Sequence, residues 1–148
     1  MNLEELLRSK AIMRIMPDRK LALNSIKRAR RDIDTAKTLI SNERFDWALA
    51  VSYNAMLTAG RALMFDRGYR PSSTEGHLAV VKFLSVMLGA EVGERMVTIM
   101  NNMRKKRHRI VYEEMDIVSM GEAEQAIRWT KEFVDTIHDI ISQKSKLL

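Results

Sequence analysis

A run of five cations and one imidazole is the clearest chemical feature of the chain: Arg104, Lys105, Lys106, Arg107, His108 and Arg109. Without the five formal charges of this basic run, the net charge of +6 falls to +1, so the basicity of the chain is local. Clustered Lys and Arg suit a polyanion such as RNA, because binding releases counterions from the phosphates. Cations at a helix end also complement the helix dipole. The basic run alone therefore fits either a phosphate site or a solvated helix end.

Two polar residues interrupt the apolar stripe of a helix predicted for residues 44–67. Asn54 and Arg61 stand at helical spacing among its apolar residues. Because buried polar groups need partners, they indicate a polar pocket or an interface, unless this helix face reaches solvent. The small residues Ala59 and Gly60 in the same helix predict the close approach of another helix.

Composition excludes several kinds of site. The chain has no Cys, which excludes a thiol nucleophile, a thiolate metal site and a redox switch, and which fits a reducing compartment. His77 has no second ligand at a suitable spacing, so we expect neither a metal nor a cofactor. No apolar stretch approaches the roughly 20 residues that cross a bilayer. We expect a soluble, cytoplasmic protein without membrane contact.

The elements that must position these residues are helices. The 148 residues fit one domain, predicted over residues 1–148. Eleven Met, only six Gly and two Pro favour long helices over strands. The predicted fold class is therefore all-α, a helical bundle.

Apolar periodicity places an N-terminal helix within residues 1–17 and a bundle over residues 20–145. Long helices are predicted over residues 20–40 and 44–67, with Asp18 as the N-cap of the first and Gly68 as the C-cap of the second. Capping boxes at Ser72–Glu75 and Ser119–Glu122 open the third and last helices. A break at Gly89–Gly93 precedes the fourth helix, which carries the basic run.

Three segments together resemble the HEPN domain family. They are residues 52–63 (SYNAMLTAGRAL), residues 68–77 (from Gly68-Tyr69-Arg70 to Glu75-Gly76-His77) and residues 103–112 (MRKKRHRIVY). The resemblance covers roughly residues 1–145. It implies an antiparallel bundle of four to five helices that pairs two-fold, with basic helix ends lining a shared cleft. Relatives of this kind are often encoded beside a minimal nucleotidyltransferase, as toxin and antitoxin.

Catalytic HEPN proteins are metal-independent ribonucleases with an Arg, a polar residue and a later His as their motif. Aligning Arg107 with the motif Arg places His108 at the polar position and Tyr112 where the His should be. Tyr titrates near pH 10 and accepts protons poorly at pH 7, so the ordinary chemistry is not expected. Arg104 and His108 share a helix face, but they stand one residue too close for the motif.

The resemblance favours a homodimer that binds RNA or nucleotide phosphate through a basic dimer cleft, with a degenerate ribonuclease motif, as a toxin–antitoxin component. The expected phosphate-binding residues are Arg104, Lys105, Lys106, Arg107, Arg109, Arg61 and Asn54. The candidate catalytic residues are Arg104, Arg107, His108 and Tyr112. One alternative is an active endoribonuclease that uses Arg104 and His108, and another is a non-catalytic module that docks a nucleotidyltransferase partner. In a purely structural alternative, Arg107 pairs with an acid and the Tyr112 ring is buried.

Overall fold

The computed structural model of the protein describes residues 2–72, 76–88 and 90–146. In chain order its elements are α1 (Leu3–Arg8), β1 (Ile12–Arg14), α2 (Arg19–Ser41), α3 (Phe45–Arg67), β2 (Tyr69–Pro71), α4 (Gly76–Met87), α5 (Ala90–Tyr112) and α6 (Met120–Lys146). The all-α prediction is confirmed, since the two short strands form only a small antiparallel pair. Within the described ranges, no helix combines the length and apolar character needed to cross a membrane.

Helices α2, α3 and α6 form the centre of the bundle. Residues 42–44 join α2 to α3 in a helical hairpin, and α6 packs along both. The inner face of α2 is apolar: Ile26, Ala29, Ile33 and Ala36 are buried, and Ile40 is partly buried. Helix α3 lies in the middle, where it contacts α2, α4, α5 and α6. A polar side chain on α3 therefore has few ways to reach water.

Three predicted helix caps are confirmed. The Leu21 backbone N–H donates to Asp18 Oδ1 at 2.9 Å at the start of α2. Gly68 ends α3 with a φ of 87°, in the left-handed region. The Glu122 N–H donates to Ser119 Oγ at 3.1 Å, and the Ser119 N–H donates to Glu122 Oε1 at 3.2 Å. These exchanged hydrogen bonds form the capping box that opens α6.

The N-terminal helix predicted within residues 1–17 is shorter than expected. Helix α1 ends at Arg8, and β1 pairs antiparallel with β2, with Met13 opposite Arg70. Lys10 adopts a φ of 62°, a left-handed conformation that no α-helix continues through. The apolar spacing of Ile12 fits a helix as well as a strand, and its pairing with residues 69–71, distant in the chain, decides between them.

Of the break predicted at Gly89–Gly93, Gly89 lies outside the described residues, and residues 90–93 are helical. Helix α5 begins at Ala90, so Gly93 lies within it. A Cβ atom at Gly93 would stand 2.8 Å from Cβ of Leu88 and 2.9 Å from its carbonyl oxygen. The glycine therefore permits a tight turn between α4 and α5 and does not end a helix. Of the capping box predicted at Ser72–Glu75, Glu75 lies outside the described residues.

Gly60 brings α3 and α4 together, as the small residues predicted. A Cβ atom there would stand only 2.6 Å from Cγ1 of Val80 and 3.1 Å from Cδ1 of Leu84. No side chain fits at this distance without a shift of α4. The close approach places the first turn of α4 beside α3, where the candidate site lies.

Helix α5 packs on α3 and α4 with a stripe of methionines. Met96, Met100 and Met103 are 3%, 0% and 4% exposed. The next residue of this stripe, at the same spacing of three and four, is Arg107. The basic run therefore places a guanidinium group where the helix would otherwise present an apolar side chain to the core.

Candidate phosphate-binding site

Some cations of the basic run have internal counter-charges. Lys106 Nζ lies 3.4 Å from Glu122 Oε2 at the start of α6. Arg109 Nη2 lies 3.0 Å from Glu114 Oε1, just beyond the end of α5. Lys105 is exposed. A phosphate at Lys106 or Arg109 would have to displace a carboxylate.

Arg104 and Arg107 lie on the inner side of α5 and are both half-buried. The Arg107 Cζ atom lies 6.0 Å from the centroid of the Tyr53 ring on α3. Arg104 donates from Nε and Nη2 to Asn101 Oδ1 at 3.2 and 2.9 Å. Over the part of the chain that the structure describes, neither guanidinium forms an ion pair with a carboxylate. The structural alternative in which Arg107 pairs with an acid is therefore not observed.

Two further side chains complete this group. The His77 ring, in the first turn of α4, lies 5.7 Å from the Tyr53 ring. Half-buried Arg61 reaches the start of α4, where a Cβ atom on Gly76 would stand 3.9 Å from its Nη2 atom. Arg61 likewise has no ion pair among the described residues. We call the five residues Tyr53, Arg61, His77, Arg104 and Arg107 the arginine cluster.

The arginine cluster holds positive charge in a partly desolvated position. Burial raises the pKa of Tyr53 to about 12, and the positive charges of Arg104, Arg107 and Arg61 oppose this rise. Burial also lowers the pKa of Arg61. The Tyr53 hydroxyl is buried and has no hydrogen-bond partner in the described ranges. Uncompensated charges and unpaired polar groups are costly inside a protein, so the arginine cluster has the charge and the hydrogen-bonding groups that suit an anion.

The family model of the HEPN domain matches residues 22–140, from α2 into α6. The matched region contains the whole arginine cluster. The chain belongs to the HEPN domain family. HEPN domains have nucleotide- and RNA-related functions, commonly as ribonucleases or in toxin–antitoxin systems. No curated protein and no solved structure matches the chain.

In this HEPN domain, the residue at the position of the motif His lies outside the arginine cluster. Tyr112 is the last residue of α5 and is 69% exposed, so the alternative with a buried ring is not observed. The centroid of its ring lies 4.9 Å from that of the His108 ring, with the two planes tilted by 46°. The Nε2 atom of His108 lies 3.9 Å from Glu113 Oε1. Within one chain, Arg107 and Tyr112 therefore face different surroundings.

The structure brings together three of the predicted site residues, Arg61, Arg104 and Arg107. The remaining candidates are not part of this group: Asn54, Lys105, Lys106, His108, Arg109 and Tyr112. Asn54 is exposed on α3. Sequence reasoning missed the roles of Tyr53 and His77. The available signal was their place in two of the three segments that carry the HEPN resemblance, but only helix packing shows that their rings meet.

We expect His77 to make the stability of this HEPN domain depend on pH. Burial lowers its pKa, and the positive charges of Arg107, Arg61 and Arg104 lower it further. An unfolded His titrates near pH 6.5. Below that pH the unfolded chain takes up a proton that the folded chain binds more weakly, so stability falls as the pH falls.

We therefore expect urea unfolding to show a loss of stability below about pH 6.5 that is smaller in His77→Gln. The matched control, His108→Gln, changes an exposed imidazole and keeps the wild-type dependence. An equally steep loss in His77→Gln and wild type would contradict the assignment.

Proposed function

We propose that this HEPN protein binds the phosphate backbone of RNA at the arginine cluster and does not cleave it efficiently. The observation that carries the proposal is the set of three half-buried arginines around the unpaired Tyr53 hydroxyl. Within the described ranges, no carboxylate forms an ion pair with any of these arginines. A phosphate would supply both the missing negative charge and a hydrogen-bond acceptor.

Guanidinium groups suit this task, because their planar donor sets match phosphate oxygens in two-point contacts. Arg104 and Arg107 stand one turn apart on α5, and Arg61 approaches from α3. Arginines on two helices thus surround one small region and can contact different oxygens of a phosphodiester. Exposed Lys105 adds charge beside it. A polyanion gains more from such a surface than a single phosphate does, through counterion release.

The weak catalytic capacity follows from the placement of the proton-transfer groups. RNA cleavage at the 2′-hydroxyl needs a proton acceptor that works near neutral pH. Tyr112 is a poor acceptor at pH 7, and both it and His108 lie at the exposed end of α5. Neither stands beside the half-buried guanidinium groups of the same chain.

One observation favours the alternative function, an endoribonuclease. His77 is the imidazole of the arginine cluster, and its lowered pKa keeps it unprotonated at neutral pH. In that alternative it would accept the proton of the 2′-hydroxyl while the arginines offset charge on the phosphorane.

The proposal includes a two-fold dimer and a toxin–antitoxin role with a nucleotidyltransferase as partner. The divergence of Arg107 and Tyr112 on α5 supports the dimer, and membership of the HEPN family supports the toxin–antitoxin role. Because one side chain faces inward and the other outward, they could share a cleft only if a second chain supplies one of them. A dimer would extend the arginine cluster with the exposed end of the partner's α5.

The test is RNA binding by Arg104→Ala, followed by fluorescence anisotropy of a labelled single-stranded RNA. We expect affinity at low salt to fall about tenfold and the slope of log K against log salt to decrease by about one. Lys105→Ala is the matched control, because Lys105 lies on the same helix and is exposed. This variant should lose much less RNA affinity than Arg104→Ala. Equal losses in both variants would show diffuse attraction and overturn the proposed site.

The same samples report cleavage on a denaturing gel. Intact RNA is the expected result for the wild-type chain. Cleavage that disappears in His77→Ala would replace the proposal with the endoribonuclease alternative. Cleavage that persists in His77→Ala but disappears in His108→Ala would instead support the use of Arg104 and His108.

A further inference from the structure

A pocket of about 430 Å³ lies between α5 and α6, beside Leu49 of α3. The two helices touch over only a short stretch. The walls of this pocket are mainly apolar, and the polar side chains that line it are those of Asn102, Lys106, Glu122 and Gln125. The residues that matter here are Leu49, Ile99, Met103, Trp129, Asn102 and Gln125. This volume and lining are typical of a site for a small, flat organic group.

The side chains of this pocket match the chemistry of a nucleobase. The half-buried indole of Trp129 offers a flat face for stacking. Asn102 and Gln125 carry amide groups, which present both donors and acceptors as a base edge requires. Gln125 Oε1 already accepts from Arg128 Nη2 at 2.9 Å, which orients the Gln125 amide. Leu49 and Met103 close the apolar floor.

The pocket adjoins the arginine cluster through α5. Lys106 lines the pocket, and the next residue, Arg107, belongs to the arginine cluster. The ion pair of Lys106 with Glu122 leaves the pocket with little net charge. An uncharged ring therefore suits it better than a second phosphate. A base and a phosphate of the same RNA strand would then lie on neighbouring faces of one helix.

We propose that the pocket between α5 and α6 binds an unstacked nucleobase of single-stranded RNA. This inference rests on the proposed function, since it takes the arginine cluster as the site of the adjoining phosphate. Because a base inside a duplex is stacked and unavailable, the protein should prefer single-stranded to double-stranded RNA.

Tryptophan fluorescence tests the pocket directly. The chain has two Trp, and Trp47→Phe removes the one that is 53% exposed, away from the pocket. In this variant all tryptophan emission comes from Trp129. We expect adenosine, which has no phosphate, to quench it saturably, and single-stranded RNA to quench it at lower concentration. Free tryptophan in the same titration corrects for absorption by the nucleoside.

Two further variants separate the pocket from the phosphate site. Asn102→Ala, a mild change at an exposed residue, should weaken single-stranded RNA binding roughly threefold, and Trp129→Leu roughly tenfold. In Trp47→Phe/Arg104→Ala, RNA affinity should fall while quenching by adenosine persists.

The outcomes distinguish the two proposals. RNA binding that depends on Arg104, with no quenching by adenosine or RNA, would overturn the nucleobase pocket and leave the proposed function intact. Quenching by adenosine without Arg104-dependent RNA binding would support the pocket and overturn the phosphate site. If Trp129→Leu changes the oligomeric state, and adenosine does not quench the Trp129 emission of Trp47→Phe, the pocket is a protein interface. This result would overturn the inference.

Discussion

Replacing Arg107 with Met should weaken RNA binding about thirtyfold and, at the same time, make the free protein more stable. Arg107 continues the buried stripe of Met96, Met100 and Met103 along α5. A Met side chain fills a similar volume and carries no charge that must be desolvated. We therefore expect the arginine to lower the stability of the free bundle, and we attribute its presence to the proposed phosphate contact.

The expected sizes of the two effects, on RNA affinity and on stability, follow from the surroundings of Arg107. Losing a charge-assisted contact to phosphate costs about 2 kcal/mol, which corresponds to the expected loss in affinity. Removing a half-buried cation that has no ion pair among the described residues should stabilise the free protein by about 1 kcal/mol. Anisotropy with labelled RNA measures the first effect, and thermal unfolding without RNA measures the second.

Lys105→Met is the matched control for Arg107→Met. Lys105 lies on the same helix with the same formal charge, but it is exposed. It should change RNA affinity little and should not raise the unfolding temperature. An unfolding temperature that falls in Arg107→Met, together with unchanged RNA affinity, would mean that Arg107 is a structural residue.

Replacing Asp46 with Ala should destabilise the protein by about 2–4 kcal/mol. Three backbone N–H groups donate to this one carboxylate, those of Asp116 at 2.7 Å, Ile117 at 3.1 Å and Val118 at 3.0 Å. They belong to the loop between α5 and α6, in which Asp116 has a φ of 58°. Because the side chain that holds this turn lies some 70 residues earlier in the chain, its loss would release the start of α6.

Urea unfolding of three variants tests this role. Asp46→Asn keeps one acceptor oxygen and should lose part of the stability that Asp46→Ala loses. Asp34→Ala is the control, since it removes an exposed carboxylate of α2 that has no hydrogen bond among the described residues. If Asp46→Ala loses no more stability than Asp34→Ala, the loop between α5 and α6 keeps its conformation without the Asp46 carboxylate.

Much of the helical framework can be predicted from the chain, because its signals are local. The cap at Asp18, the left-handed Gly68 and the Ser119–Glu122 box each depend on residues within one helical turn. The N-terminal segment was the main failure. Ile12 fits the periodicity of a helix, yet residues 69–71 supply hydrogen bonds that make it a strand.

The candidate site was only partly predictable. Arg61, Arg104 and Arg107 were among the expected ligands because clustered cations and interrupted apolar stripes are visible in a sequence. Tyr53 and His77 were not, since a lone aromatic or imidazole in a helix is usually structural. Their meeting depends on the close approach of α3 and α4 at Gly60.

The sequence by itself determined the all-α class, most helix limits and the HEPN resemblance, since helical periodicity and capping are properties of short segments. Only the tertiary structure decided which cations of the basic run keep an unbalanced charge. Lys106 and Arg109 pair with carboxylates, whereas Arg107 lies over the buried Tyr53 ring and Arg104 donates to the Asn101 amide oxygen. The physical reason is that charge compensation depends on distances between helices, which the spacing within one helix does not contain.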